Sequence, residues 1–277
     1  MALNLATLRT RTLTAAVFVA VMLTGLLWNH WSFFILFTII HFGCWIEYQK
    51  LVGLIDRDYT HVSPFHKYGV MLAGWCIMLN FTTNSFAVFG VHLHEIGWFL
   101  GLLFVFILPV IELLFAKDIQ LKNIGYSAVG LVYISLSLGL MVDLRGRFMV
   151  PDHFESLNLD FAVPLLIIAS IWINDTMAYI VGSLIGKTKL SEISPKKTWE
   201  GTIGGAILAV GAMGFIYWLQ NDHSFNGVMR WLIIAAVASI AGTFGDLLES
   251  KLKRAAHVKD SGHIMPGHLY GDRKSVV

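Results

Sequence analysis

The sequence predicts an all-α fold, a polytopic transmembrane helix bundle of about eight spans in which cytoplasmic polar loops form the site. Three observations predict it. Hydrophobic residues make up 56% of the 277 positions and charged residues only 14%, against roughly a quarter charged in a soluble domain. The apolar residues gather into stretches of about 17 to 25, the length an α-helix needs to cross a hydrocarbon core of roughly 30 Å. The positive residues, finally, are sorted between the segments that join those stretches.

The apolar runs cover 13–28, 31–45, 68–91, 96–116, 124–142, 161–185, 202–219 and 228–248. Arg9 and Arg11 precede the first run as they would a signal peptide. No small-x-small cleavage pattern follows it and a second run begins almost at once, so it is read as a membrane helix. With a cytoplasmic N-terminus and eight alternating helices, only Arg145, Arg147 and Arg230 of the 20 Lys and Arg face outside, and the other seventeen face the cytoplasm. Positive charge near helix ends is retained on that side. The net charge of +2 says little about partners. No nucleic-acid partner is expected.

Residues 1–160 read as N-terminal scaffold helices, with Trp28, Trp31, Trp45 and Trp98 near expected membrane interfaces, where aromatic belts form. Glu47 is read as an interfacial carboxylate. Cys44 and Cys76 lie among apolar neighbours without paired spacing, so neither a metal site nor a disulfide frame is expected. Residues 161–277 form the C-terminal catalytic region of one continuous membrane domain, because polar residues crowd into 186–201 and 249–273.

Asp175 lies near the middle of the sixth run. An ionised Asp at a helix centre costs about 2.5 to 3.5 kcal/mol on insertion scales, so it is expected to face the bundle interior and a partner. Ala178, Tyr179, Gly182 and Gly186 follow at helical spacing, a stripe of mostly small residues that permits close helix packing or admits a ligand. At the end of the eighth run Asp246, Glu249, Ser250 and Lys253 fall at i, i+3, i+4 and i+7, one helical face of carboxylates, a hydroxyl and a cation. Oxygen ligands of this kind suit a hard divalent cation.

Gly186-Lys187-Thr188 is not a P-loop, since Val181 stands where the first Gly belongs and no strand precedes it. The segment that follows still places Ser194, Lys196, Lys197 and Thr198 just before the seventh helix. Backbone N–H groups at a helix start, with Lys beside them, can cradle a triphosphate. A last cluster holds Lys259, Asp260, His263, Pro266, Gly267 and His268, then Asp272-Arg273. Without a third His or an H-E-x-x-H pattern, His263 and His268 are read as hydrogen-bonding or phosphate contacts. This inventory lacks a Ser-His-Asp spacing and a reactive cysteine. It suits a phosphate nucleophile, which needs only cations to align and neutralise two anions.

At these residues the chain resembles the phosphatidate cytidylyltransferase family, also called CDP-diacylglycerol synthases. Ser250, Lys253, Arg254, Lys259, Asp260, Pro266, Gly267 and His268 match the family signature in order, and Asp272-Arg273 continue it imperfectly. Upstream, Asp175-Thr176, Ala178-Tyr179, Gly186-Lys187, the segment 194–201 and the segment 245–250 match further family motifs. The resemblance is strong over 170–268 and general, through hydropathy, before that.

The resemblance implies the reaction CTP plus phosphatidic acid giving CDP-diacylglycerol and pyrophosphate, with Mg²⁺ required. It implies that Asp246 and Asp272 bind metal and that Ser250 lies beside them. Asp175 lines the cavity, and Lys196, Lys197, Lys253, Arg254 and Lys259 hold phosphates. Asp260 joins the catalytic candidates, and Ser194, Thr198, His268 and Arg273 the binding ones. The expected setting is a bacterial inner membrane with the site cytoplasmic, and a homodimer is compatible with this reading. Between His268 and Asp272 stand only Leu269, Tyr270 and Gly271, one residue fewer than the family pattern, and the second Asp of Asp-Arg-x-Asp is absent. A shifted or shortened reading frame is the expectation for this tail, and with it little or no turnover by this chain. Two other readings stand beside this one, a CTP-dependent polyprenol-type lipid kinase and a transporter with Asp175 in an ion path.

Overall fold

The computed structural model describes residues 5–115, 120–147, 162–219 and 225–258. They form nine α-helices, α1 (Leu5–Leu27), α2 (His30–Ile55), α3 (Pro64–Asn80), α4 (Leu93–Phe115), α5 (Leu121–Gly130), α6 (Ser137–Arg147), α7 (Ala162–Ile185), α8 (Trp199–Leu219) and α9 (Phe225–Ala255). A π-helical turn, Leu131–Leu136, joins α5 to α6, so that Leu121–Arg145 runs as one span. A two-stranded hairpin of β1 (Ala87–Val88) and β2 (Val91–His92) precedes α4.

Six of these segments are long and apolar enough to cross a membrane, namely α2, α4, Leu121–Arg145, α7, α8 and α9. The all-α reading holds, whereas eight such spans are not found among the described residues. The apolar part of α1 is the short Ala16–Leu27, and α3 has only 17 residues. The run expected to continue as helix to residue 91 stops at Asn80. Phe86 N–H then bonds to the Thr83 carbonyl, and Phe89 and Gly90 take φ of 50° and 81° at the hairpin tip. Two successive positive φ angles are what a tight two-residue hairpin turn demands, and glycine accepts one of them without a Cβ penalty.

The described residues fall into two compact units, one with α1 to α6 and one with α7 to α9. In the first, Trp45, Tyr48, Val52, Tyr59, Val70, Met71 and Ile134 form a buried core. Several polar groups in and around it are paired, as an apolar surrounding demands. Ser135 on the π turn accepts the Trp45 indole N–H at 3.0 Å and meets His41 Nε2 at 3.0 Å. His66 spans Glu112 at 2.9 Å and Ser127 at 2.8 Å, tying α3 to α4 and α5.

In the second unit α7 packs along α8, and α9 packs on both. The α7–α8 contact is close because glycines face it. A Cβ on Gly205 would lie 2.7 Å from the Asn174 carbonyl oxygen and 2.8 Å from Ala178. One on Gly201 would lie 2.6 Å from the Ala178 carbonyl oxygen and 2.9 Å from Gly182. Most of the small-residue stripe read from the sequence, Ala178, Gly182 and Gly186, is thus a helix-packing face, while Tyr179 stands off it, 77% exposed. Small residues let helix backbones approach where the bilayer supplies no hydrophobic drive.

Candidate active site

All the candidate residues that are described lie in the second unit, on α7, α9 and the loop between α7 and α8. Asp175 sits on α7 and Asp246 on α9. The sequence placed Asp175 toward the bundle interior, but its neighbour Asn174 takes that position. Asn174 is 1% exposed and its amide donates to Thr243 Oγ1 on α9 at 3.4 Å, with Thr243 donating in turn to the Ser239 carbonyl at 2.9 Å. Asp175 itself is exposed. A helix turns about 100° per residue, so Asn174 fills the α7–α9 interface while Asp175 points away from it.

The loop between α7 and α8 is a built element. Leu190 N–H bonds to the Lys197 carbonyl at 2.8 Å and Trp199 N–H to the Thr188 carbonyl at 2.9 Å, with a bridge pairing Lys189 and Thr198. Lys197 N–H closes a turn on the Ser194 carbonyl at 3.0 Å, with Pro195 at the second turn position. Proline's fixed φ suits that position. Thr198 accepts the Gly201 N–H at 3.2 Å through its hydroxyl, the contact of an N-cap that starts α8. The Thr198 side chain also fills the space beside Gly182 and Gly186, where a Cβ on either glycine would approach its Oγ1 to 3.0 and 2.6 Å.

This loop delivers Lys197 to Asp246, and the two form an ion pair. Both charges also act on the Asp175 carboxylate. Residues 175, 197 and 246 are thereby brought into one electrostatic cluster from α7, the loop and α9. Lys197 is paired with Asp246, and Asp175 lies within reach of both charges. One helical turn or more beyond Asp246, Lys253 donates to Glu249 at 2.5 Å, an i,i+4 pair in the favourable order. The acidic and basic members of the face read from the sequence therefore partly neutralise each other. Ser250 lies between them and Arg254 is exposed at the helix end.

Helix α9 ends in a Schellman motif. His257 N–H bonds to the Arg254 carbonyl at 3.0 Å and Val258 N–H to the Lys253 carbonyl at 2.9 Å, with His257 at φ 56°. Lys196 and Ser194 lie in the loop near Lys197, Lys196 exposed and Ser194 half-buried. Lys259, Asp260, His268, Asp272 and Arg273 lie outside the described residues.

Sequence reasoning missed Asn174, Thr243 and Ser239, the buried polar group that packs α7 on α9. It also gave no role to Glu200, whose carboxylate accepts the N–H groups of Lys187 and Thr188 at 3.1 to 3.2 Å. An acidic residue in the first turn of a helix was the available signal.

The metal that the resemblance implies can be weighed on the donor set. Among the described residues no group of three or more His, Cys, Asp or Glu side chains is placed to hold a metal ion. Mg²⁺ is commonly held by one or two carboxylates together with substrate phosphates and water. Asp246, with Asp175 close enough to feel its charge, supplies that donor type, with the Lys197 ammonium as the present counter-charge. The residues fit a Mg²⁺–triphosphate mode and do not form an all-protein cage.

The sequence profile of the cytidylyltransferase family matches residues 9–268. The chain is 30% identical to a phosphatidate cytidylyltransferase of Haemophilus influenzae over 274 residues, covering 94% of this chain and 91% of that protein. It is 30% identical to that of Thermotoga maritima over 244 residues, covering 81% and 82%. A stretch of 137 residues is 41% identical to that of a Synechocystis species, spanning 47% of this chain and less than half, 44%, of the relative. With six segments fit to span a bilayer, this integral membrane protein belongs to the cytidylyltransferase family.

Proposed function

We propose that the chain is a phosphatidate cytidylyltransferase that forms CDP-diacylglycerol and pyrophosphate from CTP and phosphatidic acid. Its site lies at the cytoplasmic face of a bacterial membrane. The names of its relatives support the reaction, and the observation that carries the site is the convergence of Asp175, Lys197 and Asp246. A phosphate oxygen of phosphatidic acid attacks the α-phosphorus of CTP. The bond from that phosphorus to the bridging oxygen of the β-phosphate breaks, and pyrophosphate leaves with the electron pair. The nucleophile is already an oxyanion near neutral pH, so the work left to the protein is positioning and charge neutralisation.

Lys196 and Lys197, on a loop held by its own hydrogen bonds, bind triphosphate oxygens. Lys253 and Arg254, at the C-terminal end of α9, lie near enough in sequence to Asp246 to take the phosphate of the lipid. Asp246 and Asp175 would hold Mg²⁺, with Asp272 the further carboxylate that the resemblance assigns. That ion supplies charge neutralisation of the triphosphate and of the leaving pyrophosphate. Lys197 is ion-paired with Asp246. Were Asp246 to hold the cation, the Lys197 ammonium would be free to bind a phosphate oxygen.

The test uses purified protein in mixed micelles containing phosphatidic acid, with CTP labelled in the α-phosphate, and reads CTP binding alongside product. Label in CDP-diacylglycerol, with one pyrophosphate per lipid formed, is the expected result. Release of CDP with formation of a lipid phosphate, when a polyprenol takes the place of phosphatidic acid in the micelles, would replace this reading with the kinase. A protein that neither binds CTP nor labels lipid would overturn it.

A further inference from the structure

We infer that Glu200 is the positioning residue that sets the phosphate-binding loop, an inference that rests on the proposed function. The loop leaves α7 at Gly186 and enters α8 at Trp199, and its two arms are zipped by the Leu190–Lys197 and Trp199–Thr188 hydrogen bonds. At the base of the zip, Glu200 reaches back across from the first turn of α8. Its Oε2 accepts the Lys187 N–H at 3.2 Å, and the Thr188 N–H is shared between Oε1 at 3.1 Å and Oε2 at 3.2 Å. These two N–H groups follow the end of α7, just past the Gly186 N–H, which still bonds to the Gly182 carbonyl at 3.0 Å. The Glu200 carboxylate accepts both.

The consequence is one of register. Lys197 meets Asp246 from the far arm of the loop, and the position of that arm is fixed by its pairing with the near arm that Glu200 holds. Charge-assisted hydrogen bonds are stronger than neutral ones, so a carboxylate is the group to hold two backbone donors at a membrane surface. The influence of Glu200 on Lys197 and Asp246 runs through the backbone of the loop.

The variants separate this role from general stability. Glutamine keeps one acceptor oxygen at the Oε2 position, which serves the Lys187 N–H and the longer Thr188 contact at neutral strength, and loses the Oε1 contact to Thr188. Alanine removes all of them. Hydrogen exchange at the amides of Lys187 and Thr188, measured on the full chain in micelles, is expected to speed up strongly in Glu200→Ala and modestly in Glu200→Gln. Affinity for Mg²⁺–CTP, followed by the fluorescence of the protein, should fall on the order of tenfold in Glu200→Ala, the loss expected for hydrogen bonds to a charged group. Glu200→Gln should recover most of it.

Unchanged exchange at Lys187 and Thr188 in Glu200→Ala would overturn the anchoring. Faster exchange with unchanged CTP affinity would overturn the positioning role and leave Glu200 a loop anchor only. If the unsubstituted protein bound no CTP while the exchange order held, the functional reading would fall and the anchoring would stand, so the two failures are distinguishable.

Discussion

Replacing Gly205 by alanine tests whether the spacing of α7 and α8 sets the site. The added Cβ would sit 2.7 Å from the Asn174 carbonyl oxygen and 2.8 Å from both the nitrogen and the Cβ of Ala178. Ordinary non-bonded contacts lie near 3.5 to 4.0 Å, so the helices must part by about 0.7 to 1 Å. Two of the three obstructing atoms are backbone, which cannot turn aside as a flexible side chain would. Overpacking of this kind costs about 1 to 3 kcal/mol, against a helix-propensity gain of roughly 0.5 to 1 kcal/mol for Gly→Ala, so the loss wins. The shift falls on Asn174, whose neighbour is Asp175, and misplacement by about 1 Å can cost on the order of a hundredfold in rate. Gly211 lies on the same helix, and a Cβ there would meet nothing within 4 Å, so Gly211→Ala is the control. Thermal unfolding in detergent should drop by a few degrees, about 2 to 8 °C, for Gly205→Ala only. CDP-diacylglycerol formation should fall in the same variant only. Equal behaviour of the two variants would refute the argument that close packing positions Asp175.

Three further outcomes follow from the same geometry. Asp246→Asn, which removes a carboxylate at nearly constant volume, should abolish Mg²⁺-dependent turnover while leaving the helical circular dichroism intact. Lys197→Gln should tighten Mn²⁺ binding, read by electron paramagnetic resonance, because Asp246 loses its competing ammonium, and should weaken CTP binding. Asp56, just beyond α2, is bonded to the Lys122 ammonium at 2.5 Å, and that contact holds its carboxyl below the usual carboxylate range. A depressed carboxylate stabilises the fold above its unfolded pKa, about 3.9, and that contribution is lost as pH falls through the lower folded value. The stability difference between the protein and Asp56→Asn should therefore be present at pH 7 and shrink at pH values below about 4, as unfolding scans across pH would show.

Much of this was legible in the sequence because the bilayer writes long apolar runs, and six of the eight expected runs return as segments fit to span. The run through residue 91 misled because Phe86, Val88 and Phe89 are as apolar as helix residues, whereas the helix closes at Asn80 and the chain then turns at Thr83 and at Phe89-Gly90. The face of Asp246, Glu249, Ser250 and Lys253 was readable since i,i+4 spacing is local. Its internal Glu249–Lys253 pairing follows from the same spacing. The Lys197–Asp246 pair was not readable, because it depends on how the loop is zipped and on how closely α7, α8 and α9 approach. Nor was the exchange of roles between Asn174 and Asp175, since a composition rule favours burying whichever polar residue finds a partner, and Thr243 offers one only in the folded unit.

The most direct test of the central claim follows both ends of the CTP triphosphate in one reaction. Protein in phosphatidic acid micelles is given CTP labelled separately in the α- and γ-phosphates, with Mg²⁺ present. The account predicts the α-label in the lipid, the γ-label in pyrophosphate, and loss of both products on Asp246→Asn. The γ-label in the lipid would contradict it.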